Sequence, residues 1–145
     1  MAHYFRQAIE ETLPWLSSFG ADPTGGITRL LYSPEWLQAQ QAFKQRMSES
    51  GLETRFDEVG NLYGRLPGTR FPDEVILSGS HIDSVVNGGN LDGQFGALAA
   101  WLAVRWLKET YGAPLRTVEV LALAEEEGSR FPYVFRSEEH TSELQ

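Results

Sequence analysis

The alternation of apolar and polar runs over residues 75–130 predicts a strand, a helix and a second strand, with a polar loop after each strand. Residues 74–78 and 117–123 contain continuous apolar runs, which are typical of strands covered on both faces. Residues 95–111 form the predicted helix, which is apolar nearly all round at its start and should therefore lie against the sheet. A helical crossover makes the two strands parallel, so both should end at the same edge of one sheet.

The chain before this unit predicts two helices and a β-hairpin. Apolar positions at near-helical spacing over residues 5–16 indicate an amphipathic helix, which Pro14 should end or kink. A second helix should begin after Ser33, a hydroxyl residue at the N-cap position, and should end at Gly51. Two short runs within residues 53–66, joined by a Gly-Asn connection, are typical of a hairpin.

Length, composition and charge narrow the class of protein. A chain of 145 residues with 41% apolar residues fits one ordinary domain with a packed core. The formal net charge of -8 argues against nucleic acid or an anionic membrane as a partner, and no apolar run approaches the ~20 residues that span a bilayer. The absence of cysteine excludes thiol chemistry and cysteine-ligated zinc, and it favours a reducing cytoplasm as the location.

Polar side chains with metal-binding chemistry follow both predicted strands and precede the helix. His81 comes just after the first strand and Asp92 just before the helix. Glu126 and Glu127 come just after the second strand. Open α/β sheets bind ligands at their carboxyl edge, so these separated residues should meet there. Taken singly, each has a simpler explanation: a structural or surface histidine, a helix N-cap or loop aspartate, or a solvated acidic run. Their convergence at one edge favours a metal site.

The three consecutive glutamates at residues 125–127 directly follow a strand that is too apolar to be solvated. Like charges at a sheet edge repel one another unless cations or protons offset them. Adjacent residues of an extended chain point in opposite directions, so one of Glu126 and Glu127 can bind a metal ion while the other faces a bound water. Metal-assisted hydrolysis requires that division, and Asp83 is placed to orient His81.

The order His-x-Asp, Asp-Gly and Glu-Glu-Gly across one strand–helix–strand unit resembles the co-catalytic two-metal hydrolases of the aminoacylase and carboxypeptidase G type. Residues 24–30, 60–65 and 126–131 are similar to the branch of that family that acts on ureido and carbamoyl groups. The resemblance implies an α/β fold. It would be a truncated three-layer α/β/α catalytic domain like that of the zinc exopeptidases, with a mixed, largely parallel sheet.

The resemblance also implies a role for each residue of the predicted site. His81 would bind one metal ion, Glu127 would bind the other, and Asp92 would bridge them. Asp83 would orient His81, and Glu126 would be the general base. The implied cofactors are two divalent metal ions per subunit, manganese or zinc, because one imidazole with several carboxylates suits either metal.

The implied reaction is hydrolysis of the ureido group of allantoate, which yields ureidoglycine, ammonia and carbon dioxide in purine-nitrogen catabolism. An N-carbamoyl-L-amino acid is the alternative substrate, and a non-catalytic α/β module that binds a cation is the alternative from another class. The implied partners are this small-molecule substrate and, for the full-length enzyme, a second copy in a homodimer. Neither nucleic acid nor a membrane is expected as a partner.

The domain boundaries follow from the same resemblance. Residues 1–135 are predicted to be the N-terminal part of the metallohydrolase catalytic domain. Residues 136–145 are predicted to be a non-native tail, similar to the translation of a sequencing-library adapter, with a natural polar tail as the alternative. The resemblance implies a much longer enzyme that supplies further histidine ligands later in its chain. The 145-residue chain alone is therefore predicted to be inactive, and aggregation-prone or poorly folded because of an unpaired sheet edge.

Overall fold

The structure of the protein, a computed structural model, describes residues 1–131 as three helices and four strands. In chain order, the elements are α1 (Ala2–Ser17), α2 (Pro34–Glu49), β1 (Glu53–Phe56), β2 (Leu62–Leu66), β3 (Phe71–His81), α3 (Gln94–Tyr111) and β4 (Arg116–Leu123). Every predicted element is present, and its bounds differ from the predicted ones by a few residues. The predicted tail at residues 136–145 lies outside the described residues.

The four strands form one mixed sheet in the order β1-β2-β4-β3. β3 and β4 pair in parallel across the α3 crossover, as predicted, whereas β1 with β2 and β2 with β4 pair antiparallel. The prediction of a mixed sheet is therefore confirmed. The share of parallel pairing among these strands is smaller than predicted, because the hairpin of β1 and β2 joins the sheet beside β4.

All three helices share one apolar core with one face of the sheet. Phe43 of α2 and Trp101 of α3 meet edge to face with ring centroids 5.7 Å apart. Both belong to one buried cluster with Val120 and Ala122 of β4, and α1 packs against α3 in the same cluster. The described residues therefore contribute one helical layer and the sheet of the predicted arrangement. No helix within residues 1–131 is long and apolar enough to cross a membrane.

The two parallel strands differ in burial. β4 lies between β2 and β3, and most of its residues from Thr117 onward are buried. β3 is an edge strand, in which Val75 and Ile76 keep 47% and 55% of their surface exposed. The prediction that residues 74–78 form a strand covered on both faces is therefore wrong for the described chain. The physical reason is that β3 lies at the edge of the sheet, with β4 as its one partner among residues 1–131, and that the helices of those residues pack on one face of the sheet.

The helix ends follow local sequence signals with one exception. Ser33 caps α2, because its Oγ accepts a hydrogen bond of 3.1 Å from the backbone N–H of Trp36. α1 continues past Pro14 to Ser17, so the helix does not end at the proline, which was one of the two predicted outcomes. Leu16 is fully buried in the core, and its packing stabilises this last turn of the helix.

Candidate metal centre

The predicted site residues meet at the edge where β3 and β4 end. β3 ends at His81, which pairs in register with Leu123, the last residue of β4. Both strands therefore continue into loops at the same level. His81, Asp92 and Glu127 each offer one ligand atom, and these atoms all lie within 4.8 Å of one another. The structure thus brings together the residues that the sequence placed at one edge, while their roles remain predictions.

Asp83 holds the imidazole of His81 in one orientation. Nδ1 of the imidazole lies 3.1 Å from Asp83 Oδ1 and 3.1 Å from the Asp83 carbonyl oxygen. Because both oxygens are acceptors, Nδ1 carries the proton. Nε2 then faces Asp92 Oδ2 and Glu126 Oε2, each at 3.8 Å. Burial lowers the pKa of His81, but the hydrogen bonds and the charge of Asp83 outweigh it, so the pKa is raised.

The carboxylate of Asp83 also joins the two loops, which are the β3 exit (residues 81–84) and the β4 exit (residues 124–130). Asp83 is 2% exposed, and it accepts hydrogen bonds from the backbone N–H of Glu126 at 3.0 and 3.1 Å and of Glu127 at 3.1 Å. The sequence indicated only its contact with the imidazole. The second contact was missed because its donors are backbone groups, which leave no signal in residue identity.

The carboxyl groups of Asp92 and Glu127 face each other beside the imidazole. Burial, together with a hydrogen bond and the like charge of Asp92, raises the pKa of Glu127. Asp92 does not cap α3, because Gly93 occupies the N-cap position of that helix. The simpler explanation of Asp92 as a helix cap is therefore excluded. The two carboxyl groups lie close enough together that a proton or a cation between them would offset their repulsion.

Gly93 leaves the space that the imidazole of His81 occupies. A Cβ atom at residue 93 would lie 2.3 Å from Cε1 of His81, and the backbone φ of +63° lies in the left-handed region. Both facts favour glycine at this position. The Asp-Gly pair of the predicted motif therefore combines a carboxylate with the close backbone approach that brings it to His81.

Side chains from the hairpin turn and from α2 hold the start of the β4 exit. Asn61 is fully buried, and its Oδ1 accepts a hydrogen bond of 2.7 Å from the backbone N–H of Ala124. Trp36 Nε1 donates to the carbonyl oxygen of Ala124 at 3.0 Å. Asp57 in turn accepts a hydrogen bond of 2.8 Å from the Asn61 side chain. The Gly-Asn connection that predicted a hairpin therefore also positions the acidic run, which the sequence did not reveal.

The first glutamate of the acidic run turns inward. Glu125 is fully buried, and its Oε1 accepts hydrogen bonds from the backbone N–H of Arg130 at 2.8 Å and from Ser129 Oγ at 3.3 Å. No donor within residues 1–131 reaches its Oε2. Glu125 thus closes the loop, whereas the carboxyl groups of Glu126 and Glu127 lie at the site.

The donor set fits a divalent metal ion. Nitrogen and oxygen ligands bind zinc at about 2.0–2.2 Å, so the 3.8 Å between His81 Nε2 and Asp92 Oδ2 leaves room for an ion between them. With the proton on Nδ1, a neutral His81 directs the lone pair of Nε2 towards that space. Asp83 supplies the outer carboxylate that metal-bound histidines usually have. The residues present can therefore hold a metal ion.

The chain is similar to known proteins along most of its length. It belongs to peptidase family M28, whose family model matches residues 61–139. Amidohydrolases of this family generally use divalent metal ions. The matched segment contains all of the predicted site residues, from His81 to Glu127.

Its relatives are amidohydrolases. Allantoate amidohydrolase of Escherichia coli (strain K12) is 83% identical over 93% of this chain, and N-carbamoyl-L-amino acid amidohydrolase of Geobacillus stearothermophilus is 41% identical over 88%. A crystal structure of a hydantoinase/carbamoylase family amidase from Burkholderia ambifaria matches 89% of the chain with 31% identity and a TM-score of 0.80. The chain spans 33%, 31% and 31% of these proteins, respectively. The resemblance predicted from the motifs is confirmed, and the coverage agrees with the prediction of a part of a longer enzyme.

Proposed function

We propose that residues 1–135 are the N-terminal part of the catalytic domain of a metal-dependent amidohydrolase that cleaves the ureido C–N bond of allantoate. The observation that carries the proposal is the meeting of His81, Asp92 and Glu127 within 4.8 Å where β3 and β4 end. Identity of 83% with the E. coli allantoate amidohydrolase, against 41% with the N-carbamoyl-L-amino acid amidohydrolase, supports allantoate as the substrate.

Each site residue has its own task in this proposal. His81 Nε2 and the carboxyl groups of Asp92 and Glu127 would hold the metal ions, and Asp92 would be the ligand common to both. Asp83 keeps the proton on Nδ1 of His81, so that Nε2 stays free to bind. The side chain of Glu126, 49% exposed and 3.8 Å from His81 Nε2, is the general base.

The reaction needs a proton to be moved from water to the leaving nitrogen. A bound divalent metal ion supplies Lewis acidity and a water of lowered pKa. Glu126 accepts the proton of the water that attacks the ureido carbon, and it then returns the proton to the terminal nitrogen, which leaves as ammonia. The remaining carbamate loses carbon dioxide and becomes the amine of ureidoglycine. One water is consumed for each ammonia and carbon dioxide released.

The finer assignments also belong to the proposal. They are two ions of manganese or zinc per subunit, a homodimer of the full-length enzyme, a cytoplasmic location, a place in purine catabolism and a non-native tail at residues 136–145.

A zinc ion takes about four ligands, and the cluster in residues 1–131 offers one imidazole and two carboxylates. We therefore expect the 145-residue chain alone to be inactive. Ammonia release from allantoate above a metal-only blank would contradict that expectation.

A hybrid enzyme tests the proposed function. In the hybrid, residues 1–131 of this chain replace the aligned segment of the E. coli allantoate amidohydrolase, which supplies the rest of its own chain. With manganese, the hybrid is expected to release ammonia from allantoate at a rate near that of the E. coli enzyme, because 83% of the aligned residues are identical. A hybrid that folds and binds manganese but releases no ammonia would sink the proposal.

N-carbamoyl-L-amino acids are the second candidate substrate, favoured by the 41% identity with the G. stearothermophilus enzyme. A second hybrid separates the two candidates by joining residues 1–131 to the remainder of that enzyme. We expect the first hybrid to be active on allantoate and the second to be weakly active on either substrate, because fewer packing residues match across its junction. If the kcat/KM of the second hybrid on an N-carbamoyl-L-amino acid exceeded that of the first hybrid on allantoate, the second candidate would be favoured.

A further inference from the structure

Arg29 is buried behind the candidate metal centre, and all N–H groups of its guanidinium find acceptors. The residue is 1% exposed. Nε and Nη2 donate to the carbonyl oxygens of Leu16 and Phe19, at the end of α1. Nη1 donates to the carbonyl oxygen of Ile82 at 2.9 Å and to Oε1 of Gln94 at 3.2 Å. One buried cation therefore joins the end of α1, the β3 exit and the start of α3.

Arg29 fixes the backbone on both sides of Asp83. The carbonyl group of Ile82, which accepts from the guanidinium, directly precedes Asp83. Ser84, which directly follows it, exchanges two hydrogen bonds with the backbone of Arg29. Ser84 Oγ accepts from the Arg29 N–H at 2.9 Å, and the Ser84 N–H donates to the Arg29 carbonyl oxygen at 3.0 Å. The β3 exit is thus hydrogen-bonded to both the side chain and the backbone of Arg29.

Gln94 extends this connection to the loop that carries Asp92. Its side chain is 2% exposed, and Nε2 donates to the carbonyl oxygen of Asn90 and to Ser17 Oγ. The backbone N–H of Gln94 also donates to the carbonyl oxygen of Asp92 at 2.7 Å. Asn90 lies two residues before Asp92 and Gln94 two residues after it, so the loop around this carboxylate is held on both sides.

The burial of the Arg29 guanidinium carries a large desolvation cost. Burial lowers the pKa of Arg29 to about 10, an effect that the charge of Asp83 opposes. An apolar side chain of similar volume would occupy the same place with a smaller desolvation cost. It would not bind acceptors from three separate segments at fixed angles, which the planar guanidinium does. Arg29 therefore contributes more to the relative positions of these three segments than to the packing of the core.

We propose that Arg29, acting with Gln94, is a positioning residue of the candidate metal centre that holds the loop of His81 and Asp83 at a fixed separation from the loop of Asp92. The inference rests on the proposed function, because it assigns these loops to one metal site. Ligands that are placed in advance lose less freedom when the ion binds, so affinity rises. Arg29 acts through backbone groups, and its effect should appear first in metal affinity.

Manganese affinity of the E. coli hybrid tests this inference. Arg29→Lys keeps the charge, but a compact ammonium cannot reach the acceptors of all three segments. Gln94→Met keeps the volume and removes the side-chain connection to Asn90. We expect the manganese dissociation constant, measured from the paramagnetic resonance signal of free manganese, to rise about 10- to 100-fold for Arg29→Lys and by a smaller factor for Gln94→Met. At saturating manganese, kcat should recover most of its value in both variants.

A destabilised control separates positioning from folding. Met47→Ala removes a buried side chain that packs between α2 and Gly64 of β2, away from the site. It should lower the unfolding midpoint and leave the manganese dissociation constant unchanged. If Arg29→Lys and Gln94→Met destabilise the hybrid yet bind manganese as tightly as Met47→Ala does, the inference is wrong.

Two further outcomes keep the inference separate from the proposed function. If Arg29→Lys does not fold, the affinity of Gln94→Met decides the inference, because that variant retains the guanidinium and its other acceptors. If the unsubstituted hybrid binds manganese without turnover, the proposed function fails. The affinity comparison then still decides whether Arg29 positions the site.

Discussion

The β3 exit and the β4 exit differ in how far their structure depends on a bound cation. In the β3 exit, His81 and Asp83 are buried and hydrogen-bonded to each other. In the β4 exit, the backbone N–H groups of Glu126 and Glu127 are held by Asp83, while the carboxyl groups extend into the site. Glu127 lies against the carboxyl group of Asp92, and burial together with this contact raises the pKa of Glu127.

The difference shows that one half of the site is organised in advance and the other half is completed by its ligand. Hydrogen bonds orient the imidazole before any ion arrives, so little rearrangement is needed on the β3 side. On the β4 side, like charges repel until a proton or a cation offsets them. We therefore expect a bound metal ion to stabilise the β4 exit more than the β3 exit.

The largest effect is expected in the β4 exit, at the general base. Glu126→Gln in the E. coli hybrid should lower kcat on allantoate by about 10³-fold, because the amide cannot accept the proton of the attacking water. The manganese dissociation constant should stay near that of the unsubstituted hybrid, since Glu126 is not assigned as a ligand. Ammonia release and manganese binding are measured on the same preparation. Such a split also separates a catalyst from a cation-binding module.

Glu109→Gln, on the exposed side of α3, is the matched control for this change and should alter neither quantity. If Glu126→Gln lost manganese together with turnover, Glu126 would be a ligand. The assignment of base and ligand between Glu126 and Glu127 would then be reversed.

The next largest effect on the site is expected from Asp83→Asn, because Asp83 contacts both exits. Asp83→Asn weakens the orientation of His81 and the hold on the N–H groups of Glu126 and Glu127. We expect the manganese dissociation constant to rise about 100-fold, the upper end of the usual range for outer partners of metal ligands. Asp73→Asn, at an exposed position of β3, is the control. Equal affinities in the two variants would mean that Asp83 contributes nothing to the site.

The pH dependence of manganese binding should be a smaller, graded effect. The pKa of His81 is raised above 6.5 and that of Glu127 above 4.5, so protons compete with the ion up to a higher pH than usual. Affinity should therefore fall about tenfold per pH unit as the pH drops below the raised pKa of His81. The paramagnetic resonance titration, repeated across the pH range, measures this slope.

Stability of the metal-free hybrid should change in the opposite direction with pH. Its folded state holds the protons of His81 and Glu127 more tightly than the unfolded state does, because both pKa values are raised. The contribution of these groups to stability is therefore present at low pH and is lost as the pH rises through the raised values. Urea unfolding at several pH values tests the sign. A rise in stability over the same range that Asp83→Asn abolishes would contradict it.

The smallest effect is expected in the strands that lead to the two exits. Ile76→Thr on the exposed edge strand should change the free energy of unfolding by no more than about 0.5 kcal/mol. Val120→Thr, at a fully buried position of β4, places a hydroxyl in the core and should cost about 1–3 kcal/mol. Urea unfolding of the E. coli hybrid measures both changes. A similar cost at the two positions would show that β3 is covered.

Local pattern was sufficient for the elements and for the convergence of the ligands. Apolar periodicity and turn residues placed every helix and strand, because both signals repeat within a few residues. The parallel pairing of β3 and β4 follows from their helical crossover, and it brings His81 and the acidic run to one edge. An unpaired sheet edge was predicted, but the place of the hairpin in the sheet and the position of β3 at that edge were not, since strand neighbours are chosen by tertiary packing.

The residues that support the loops of the site could not be predicted from local sequence patterns. Arg29 reaches Ile82 across 53 positions of the chain, and Asn61 reaches Ala124 across 63. Arg29 lies in a segment for which no helix or strand was predicted, and Asn61 lies in a predicted turn. Neither residue carries a sign of its distant partner. Their burial depends on the packing of α1 and the hairpin against the strand ends.

The order of residues along the chain thus settled which side chains would gather and what chemistry they offer, because strand, helix and turn signals are local and the ends of parallel strands coincide. The folded structure decided how those side chains are held. The orientation of His81, the anchoring of the β4 exit and the exposed edge of β3 depend on hydrogen bonds and neighbours between segments far apart in sequence. Such contacts depend on the whole fold, so no local stretch of sequence encodes them.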